Sequence, residues 1–342
     1  MRVAMRILTL GLMITLAASV RADVFNMGGG QTSISLVPVG NPGNANDTTG
    51  YGSVGYNYSI DAYDVTLGQY TQFLNAVAQT DTYGLYNSYM GTAYAHEGIS
   101  QSGSPGSYSY SVTGSNPQAA NCPIFDVTWG DAARFCNWLQ NGQPTGAAGT
   151  GTTETGAYTL NGGTSNAALM AVTRNANATY FIPSENEWYK AAYYSGGGTN
   201  SAYYVYPTKS NLAPNNSLVL APTSTNDANY SISGGYTDPT NCLTPVGTFA
   251  ASPGPYGTFD MGGDVYQWTE ANISGSYRRV SGGSWMHDYS NLASSEFGSG
   301  HTPTVENYYL GFRVASVPEP GSLTLLLACA VAFGIWRQRR NA

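Results

Sequence analysis

Three short helix starts, set far apart in tracts of small polar residues, limit most strongly what this chain can fold into. Thr66-Leu67-Gly68-Gln69, Thr128-Trp129-Gly130-Asp131 and Ser184-Glu185-Asn186-Glu187 each place a hydroxyl N-cap three residues before a side chain that can reach back to it. Behind these caps, Tyr70, Phe73, Leu74 and Val77, then Ala132, Phe135, Cys136 and Leu139, then Trp188, Ala191 and Ala192 recur at helical spacing. They predict helices of roughly two to four turns. Residues 100–121 and 142–179 are rich in Gly, Ser, Asn and Thr, and only short strands such as 54–60 and 179–182 are expected. The pattern calls for one α+β, loop-rich domain, because loops this long in a compact domain are functional or inserted.

Such loops need rings to pack on. The chain holds 27 Tyr and is 13% aromatic, which argues against disorder and suits loops packed by rings with polar tips. Only 10% of residues are charged, with a net charge of −7. The two ends carry six of the 13 basic residues and one of the 20 acidic ones, so residues 23–317 stand at −12. Such a surface repels nucleic acid and anionic membranes and attracts cations.

Both ends read as targeting segments. Arg2 and Arg6, the apolar run 7–18 and Val20-Arg21-Ala22 form a secretory signal over 1–22, with signal peptidase cutting before Asp23. At the other end, Val317-Pro318-Glu319-Pro320-Gly321 precedes an apolar stretch over 322–336 and Arg337-Gln338-Arg339-Arg340. This is the pattern of a short transmembrane helix with a cytoplasmic basic tip. The order of triplet, span and Arg cluster resembles the PEP-CTERM sorting signal, here over 317–342. The resemblance implies an exosortase as processing partner and delivery to the cell surface or extracellular matrix after transient anchoring. The membrane is then met only through this segment. Cys329 would leave with it, so Cys122, Cys136 and Cys242 remain, permitting one disulfide whose pairing is open. None has C-x-x-C spacing, so zinc is not indicated.

Six motifs between these ends occur in the order of a known family. Asp64-Val65-Thr66 with Gln69-Tyr70 and Phe73-Leu74 comes first, then Pro123 with Val127-Thr128-Trp129, Asp131-Ala132 and Cys136-x-Trp138-Leu139. Next come Ile182-Pro183-Ser184-Glu185-Asn186-Glu187-Trp188 and Asp260-Met261-Gly262-Gly263-Asp264-Val265-Tyr266-Gln267-Trp268. Arg279-Val280-Ser281-Gly282-Gly283-Ser284-Trp285 and Gly311-Phe312-Arg313 close the series. Together they resemble the formylglycine-generating enzyme, or sulfatase-modifying factor, family across residues 23–316. The resemblance implies a C-type-lectin-like fold with short helices and small antiparallel sheets.

The family's copper-dependent oxidation of peptide cysteine uses two thiols in the loop after Gly-Gly-Ser-[Tyr/Trp]. Here those positions fall on His287 and Leu292, and no Cys lies between Cys242 and Cys329. Soft thiolates suit copper(I), so copper is not expected. The resulting expectation is a binding or matrix module without the oxidase chemistry, holding a peptide or glycan ligand in a groove around Trp285, Met286 and Asp288. The alternative is an oxygen-dependent oxidoreductase with a metal site rebuilt at His287 and His301, Glu306 following nearby. Both histidines are otherwise read as exposed loop residues.

The family's structural calcium sites point to Asn229, Tyr230 and Asp238, and to Asp264 and Gln267, as hard-oxygen ligands for Ca2+. Asp47 is a further oxygen-rich candidate. Trp129, Trp188, Trp268 and Trp285 read as core anchors, and Arg279 and Arg313 as partners of buried carboxylates such as Glu187, Asp131 or Asp260. No Gly-x-Ser-x-Gly, Walker, His-Glu-x-x-His or paired-glycosidase signature occurs.

Overall fold

The computed structural model describes residues 33–91, 97–200, 202–233, 235–296 and 299–317. The expected signal peptide, Cys329 and the sorting segment from Pro318 onward lie outside the described residues. Among those residues, no helix is long and apolar enough to cross a membrane.

All three capping boxes form. In α1 (Leu67–Val77) the Thr66 hydroxyl accepts the Gln69 N–H at 3.2 Å while the Gln69 Oε1 accepts the Thr66 N–H at 2.8 Å. In α2 (Trp129–Gln140) Asp131 plays the same part with Thr128. A short α3 (Asn166–Ala171) lies within a stretch expected to be irregular, and α4 (Glu185–Tyr193) opens on the Ser184–Glu187 box. Each box satisfies two of the orphan N–H groups at a helix start, so short helices end cleanly on the loops that feed them.

Two four-stranded sheets and three two-stranded ones carry the rest among the described residues. One of the larger two orders Leu36–Val39, Tyr58–Asp61, Ala315–Ser316 and Tyr180–Phe181, all antiparallel. The other orders Gly300–His301, Arg278–Ser281, Tyr266–Asn272 and Leu310–Gly311, the last pair parallel. Strand starts differ from expectation: Val54 is buried but precedes its strand, which begins at Tyr58. The tract after residue 100 also belongs to a hairpin, Gly98–Ser102 with Ser109–Thr113, whose register alternates small hydroxyl residues that sequence periodicity did not distinguish from loop.

The core between these elements is aromatic. Phe135 of α2 meets Phe73 of α1 at 5.4 Å, Trp138 at 5.7 Å and Phe312 at 5.3 Å between ring centres. Trp129, Trp188, Trp268 and Trp285 are all buried. Tyrosine tips tie distant loops to this core: Tyr70 donates to the Leu85 carbonyl at 2.8 Å, Tyr110 to Ala78 at 2.8 Å and Tyr193 to Leu292 at 2.9 Å. Cys122, Cys136 and Cys242 are all buried and unbridged.

Arg313 crosses between the sheets. Its guanidinium, fully buried, donates to Asp64 at 3.1 Å, to Gln267 Oε1 at 2.7 Å and to the carbonyls of Asp61 and Phe259. The partner is thus Asp64, not one of the three carboxylates expected, because the Gly-Phe-Arg strand runs beside the Asp64-Val65-Thr66 turn: Val65 N–H donates to the Phe312 carbonyl. Arg279 instead faces Glu185 at 3.7 Å.

Replacing Arg313 by Met should therefore cost about 3–5 kcal/mol, since Asp64 is left buried without its cation. Urea denaturation measures this directly. The double variant with Asp64→Leu should recover part of the loss; a neutral Arg313→Met would contradict the assigned role.

Candidate functional site

The Gly282-Gly283 pair builds the site. Gly282 and Gly283 hold φ of 102° and 74°, the left-handed region. A Cβ on Gly282 would stand 2.6 Å from the Met261 carbonyl, and one on Gly283 2.7 Å from Leu292. Only glycine lets the chain turn this tightly out of the Arg278–Ser281 strand. The turn throws Ser284 and Trp285 inward, and Trp285 N–H donates to the Asp264 carbonyl at 2.9 Å.

His287 follows and is half-buried, not exposed as expected. Its Nδ1 pairs with the Ser284 hydroxyl at 2.7 Å, and its carbonyl accepts the Ser231 N–H at 2.8 Å. The ring stands edge-on to Tyr266 at 5.0 Å and Tyr309 at 5.3 Å. His301 sits on a sheet strand, also half-buried, with its ring 6.1 Å from Tyr309 and 6.3 Å from Trp268. Burial lowers the pKa of both histidines, so both are neutral at pH 7.

Tyr309 thus separates the two imidazoles, a role no sequence signal revealed. Glu306 is engaged elsewhere, accepting from Asn87. Among the described residues no group of three His, Cys, Asp or Glu is placed to hold a metal ion. Leu292 is fully buried with Tyr206, Ala228, Tyr230 and Ala293.

The expected groove residues differ in access. Trp285 is buried edge-on to Tyr236 at 5.0 Å and beside Tyr308 at 6.0 Å, and its indole N–H has no hydrogen-bond partner. Met286 is half-buried, and Asp288 is exposed, capping the short turn Tyr289–Leu292 by accepting the Ser290 N–H at 2.7 Å. The surface offered there is aromatic and hydroxyl-rich, with one imidazole.

Of the expected calcium ligands, the structure brings Asn229 and Asp264 together. Asn229 Nδ2 donates to Asp264 Oδ1 at 2.7 Å, and Asp264 N–H to the Asn229 carbonyl at 3.0 Å. Asn229 Oδ1 is buried without a partner, an oxygen free for a hard cation. Thr244 donates to both Asp264 oxygens at 2.8 Å.

The other three serve nearby structure. Asp238 caps its own turn through Thr240 and Asn241, and Tyr230 donates its hydroxyl to the Pro214 carbonyl. Gln267 Oε1 accepts from Trp188 and Arg313, at 2.6 and 2.7 Å, while its amide donates to the Asp260 carbonyl. Asp47 accepts the Tyr189 hydroxyl.

Electrostatically this end of the molecule is loaded with buried acid. Burial pushes Asp61 up to about 7 against the pull of Arg313, and Asp260 up to about 6. Burial together with the charge of Asp260 pushes Asp264 up to about 8, despite the hydrogen bonds it accepts. Elsewhere, Arg174 clamps Glu187 at 2.7 Å and Glu270 at 2.6 Å. Glu187 is therefore Arg174's partner, and burial's upward push on it is outweighed by Arg174's hydrogen bonds and charge, leaving it below the usual range. Sequence spacing hid this clamp because its carboxylates lie 13 and 96 residues away.

The comparisons with known proteins agree with this architecture. The sequence matches the family described as "Sulfatase-modifying factor enzyme 1-like domain" over residues 33–317. Among solved structures, Treponema denticola variable protein 1 is similar at a TM-score of 0.52 and 19% identity, with 84% of this chain and 97% of that one covered. CarF is similar at a TM-score of 0.51 and 20% identity, covering 84% and 99%. These likenesses show the fold: α+β and loop-rich, with short helices and small sheets. No curated protein matches. The six motifs, the fold and the family match over most of the chain agree, and the chain belongs to the sulfatase-modifying factor enzyme 1-like family.

Proposed function

We propose that this chain is an exported, surface-sorted member of its family that lacks thiol-based oxidase chemistry and holds a peptide or glycan partner at the Trp285 loop. One observation carries the reading. The two positions where the family resemblance puts thiols bear a His287 locked to Ser284 and a Leu292 sealed in an apolar cluster. The described cysteines are all buried, and burial pushes the Cys122 and Cys136 thiols far above the range in which thiolates form near neutral pH. Signal peptidase and exosortase act on the ends, and the mature domain works at the cell surface or in the extracellular matrix. Ca2+ is its structural cofactor, held at Asn229 and Asp264, with Tyr230, Asp238 and Gln267 supporting the turns that present them.

Elemental mass spectrometry of protein purified without chelator tests the reading. Calcium alone, unchanged by His287→Ala, is the expected result. Stoichiometric iron or copper that disappears in His287→Ala would instead favour the oxygen-dependent oxidoreductase with a rebuilt metal site.

Calcium and pH should act together on stability. Asp264 has a folded pKa raised from the ordinary carboxylate value to about 8. The folded state therefore holds the extra proton, and stability from this group falls as pH rises from about 4 to about 8. In chelator, the melting temperature should decline across that window, and Asp264→Asn should flatten the decline. Saturating calcium should restore the wild type by about 2.7 kcal/mol at 100 times Kd, and Asp264→Asn far less. A melting profile in chelator that is unaltered by Asp264→Asn would remove Asp264 from the site.

A further inference from the structure

Among the described residues, Asp227 is the least explained charge. It is 2% exposed, and neither of its carboxylate oxygens has a hydrogen-bond partner. No Lys or Arg of the described residues pairs with it within ion-pair distance. A bare buried carboxylate is strongly unfavourable, and protonating it would only add a donor in need of an acceptor.

The surroundings are oxygens. Asp227 N–H donates to Ser252 Oγ at 2.9 Å, and that hydroxyl donates to the Ser224 carbonyl at 2.9 Å. One residue earlier, Thr208 donates its hydroxyl to Asn226 Oδ1 at 2.6 Å, which draws the Pro207-Thr208 turn against Asn226-Asp227. Two residues past Ser252, Gly254 packs so tightly that a Cβ would stand 2.4 Å from Thr258 Oγ1 and 3.2 Å from the Pro207 carbonyl, which puts these two oxygens against the same stretch of backbone. Thr258 is fully buried, and its hydroxyl also has no partner. Two kinds of unpartnered buried oxygen, one of them anionic, thus belong to segments stitched together by these contacts.

We infer that Asp227 anchors a hard divalent-cation site, with calcium the ion its donors fit, completed by Thr258 Oγ1 and main-chain carbonyls including that of Pro207. Calcium accepts six to eight oxygens in flexible geometry, carboxylate, hydroxyl and carbonyl among them, and a single carboxylate places such a site at the weak end of the affinity range. The site is distinct from the Asn229–Asp264 pair, to which the Asp227 carboxylate makes no hydrogen bond. It also has a structural consequence for the Trp285 loop. The segment running on from Asp227 includes Ser231, which holds the His287 carbonyl, and Ala228 and Tyr230, which pack on Leu292. A cation at Asp227 would pin that segment from the opposite end.

Calcium titrated calorimetrically into the full chain, after stripping with chelator, tests the inference. Asp227→Asn and Thr258→Val should each lose or weaken one binding event that Asp264→Asn retains. A second readout is thermal: in chelator Asp227→Asn should melt above the wild type, because its uncompensated charge is gone, and in calcium below it. If Thr258→Val and Asp227→Asn both leave the isotherm unchanged, the inference fails. Loss of binding in Asp264→Asn alone overturns the Asp227 site and leaves the calcium reading above intact, whereas loss in Asp227→Asn and Thr258→Val alone does the reverse. Asp227→Asn melting below the wild type equally with and without calcium also overturns it.

Discussion

The two sheets hold their relation because one guanidinium is buried where they meet. Arg313 reaches the Asp61 carbonyl in one sheet, Gln267 in the other, and Asp64 and Phe259 in the turns between. Its five N–H donors in a rigid fork are the reason one side chain can serve four partners from such separate parts of the chain. Gln267 passes the arrangement on, because its amide holds the Asp260 carbonyl and its oxygen receives the Trp188 indole. The Gly282-Gly283 turn then lies over Met261, the residue after Asp260, so the placement of the His287 loop descends from Arg313 through three short steps.

Elsewhere the fold substitutes side-chain hydrogen bonds for regular structure. Loops buried without partners for their backbone would be costly. Asn137 meets this need for the 153–158 loop, donating to the carbonyls of Thr153 and Tyr158 and accepting the Tyr158 N–H. Arg278 does so with a charge. It donates to the carbonyls of Leu169, Val172 and Glu270 while stacked 3.6 Å above Trp129. Tyrosines are numerous for the same reason: the ring fills the core and the hydroxyl ends on a distant carbonyl.

What the sequence makes legible follows from the range of each interaction. Capping boxes act over three residues, and all three are readable at Thr66, Thr128 and Ser184. The family motifs are local strings as well, and they carry the fold. The hydroxyl-rich hairpin after Gly98 escapes notice because its buried face is only Ile99, Tyr110 and Val112, set among alternating Ser and Thr. Ion-pair partners escape for a different reason. Arg313 has several carboxylates at hand in the motifs, and only the crossing of the Phe312 strand beside Val65 selects Asp64. The half-burial of His287 and His301 depends on Tyr309, a residue outside every motif.

The acid balance gives these local features a common meaning. Residues 23–317 carry far more carboxylates than cations, and the arginines with buried partners are committed to Glu154, Glu185, Glu187, Glu270 and Asp64. Asp61 and Asp264 are then buried beyond what the basic residues pair with directly. A folded protein can tolerate such groups by keeping protons on them or by binding cations, and the two routes respond oppositely to pH. Asp260 and Asp264 repel one another, so proton uptake by one eases the other, and a cation bound at the free Asn229 oxygen would lessen the need for both protons. Binding cations is thus a direct way to keep an acid-rich interior folded at neutral pH, where carboxylates would otherwise have to hold protons.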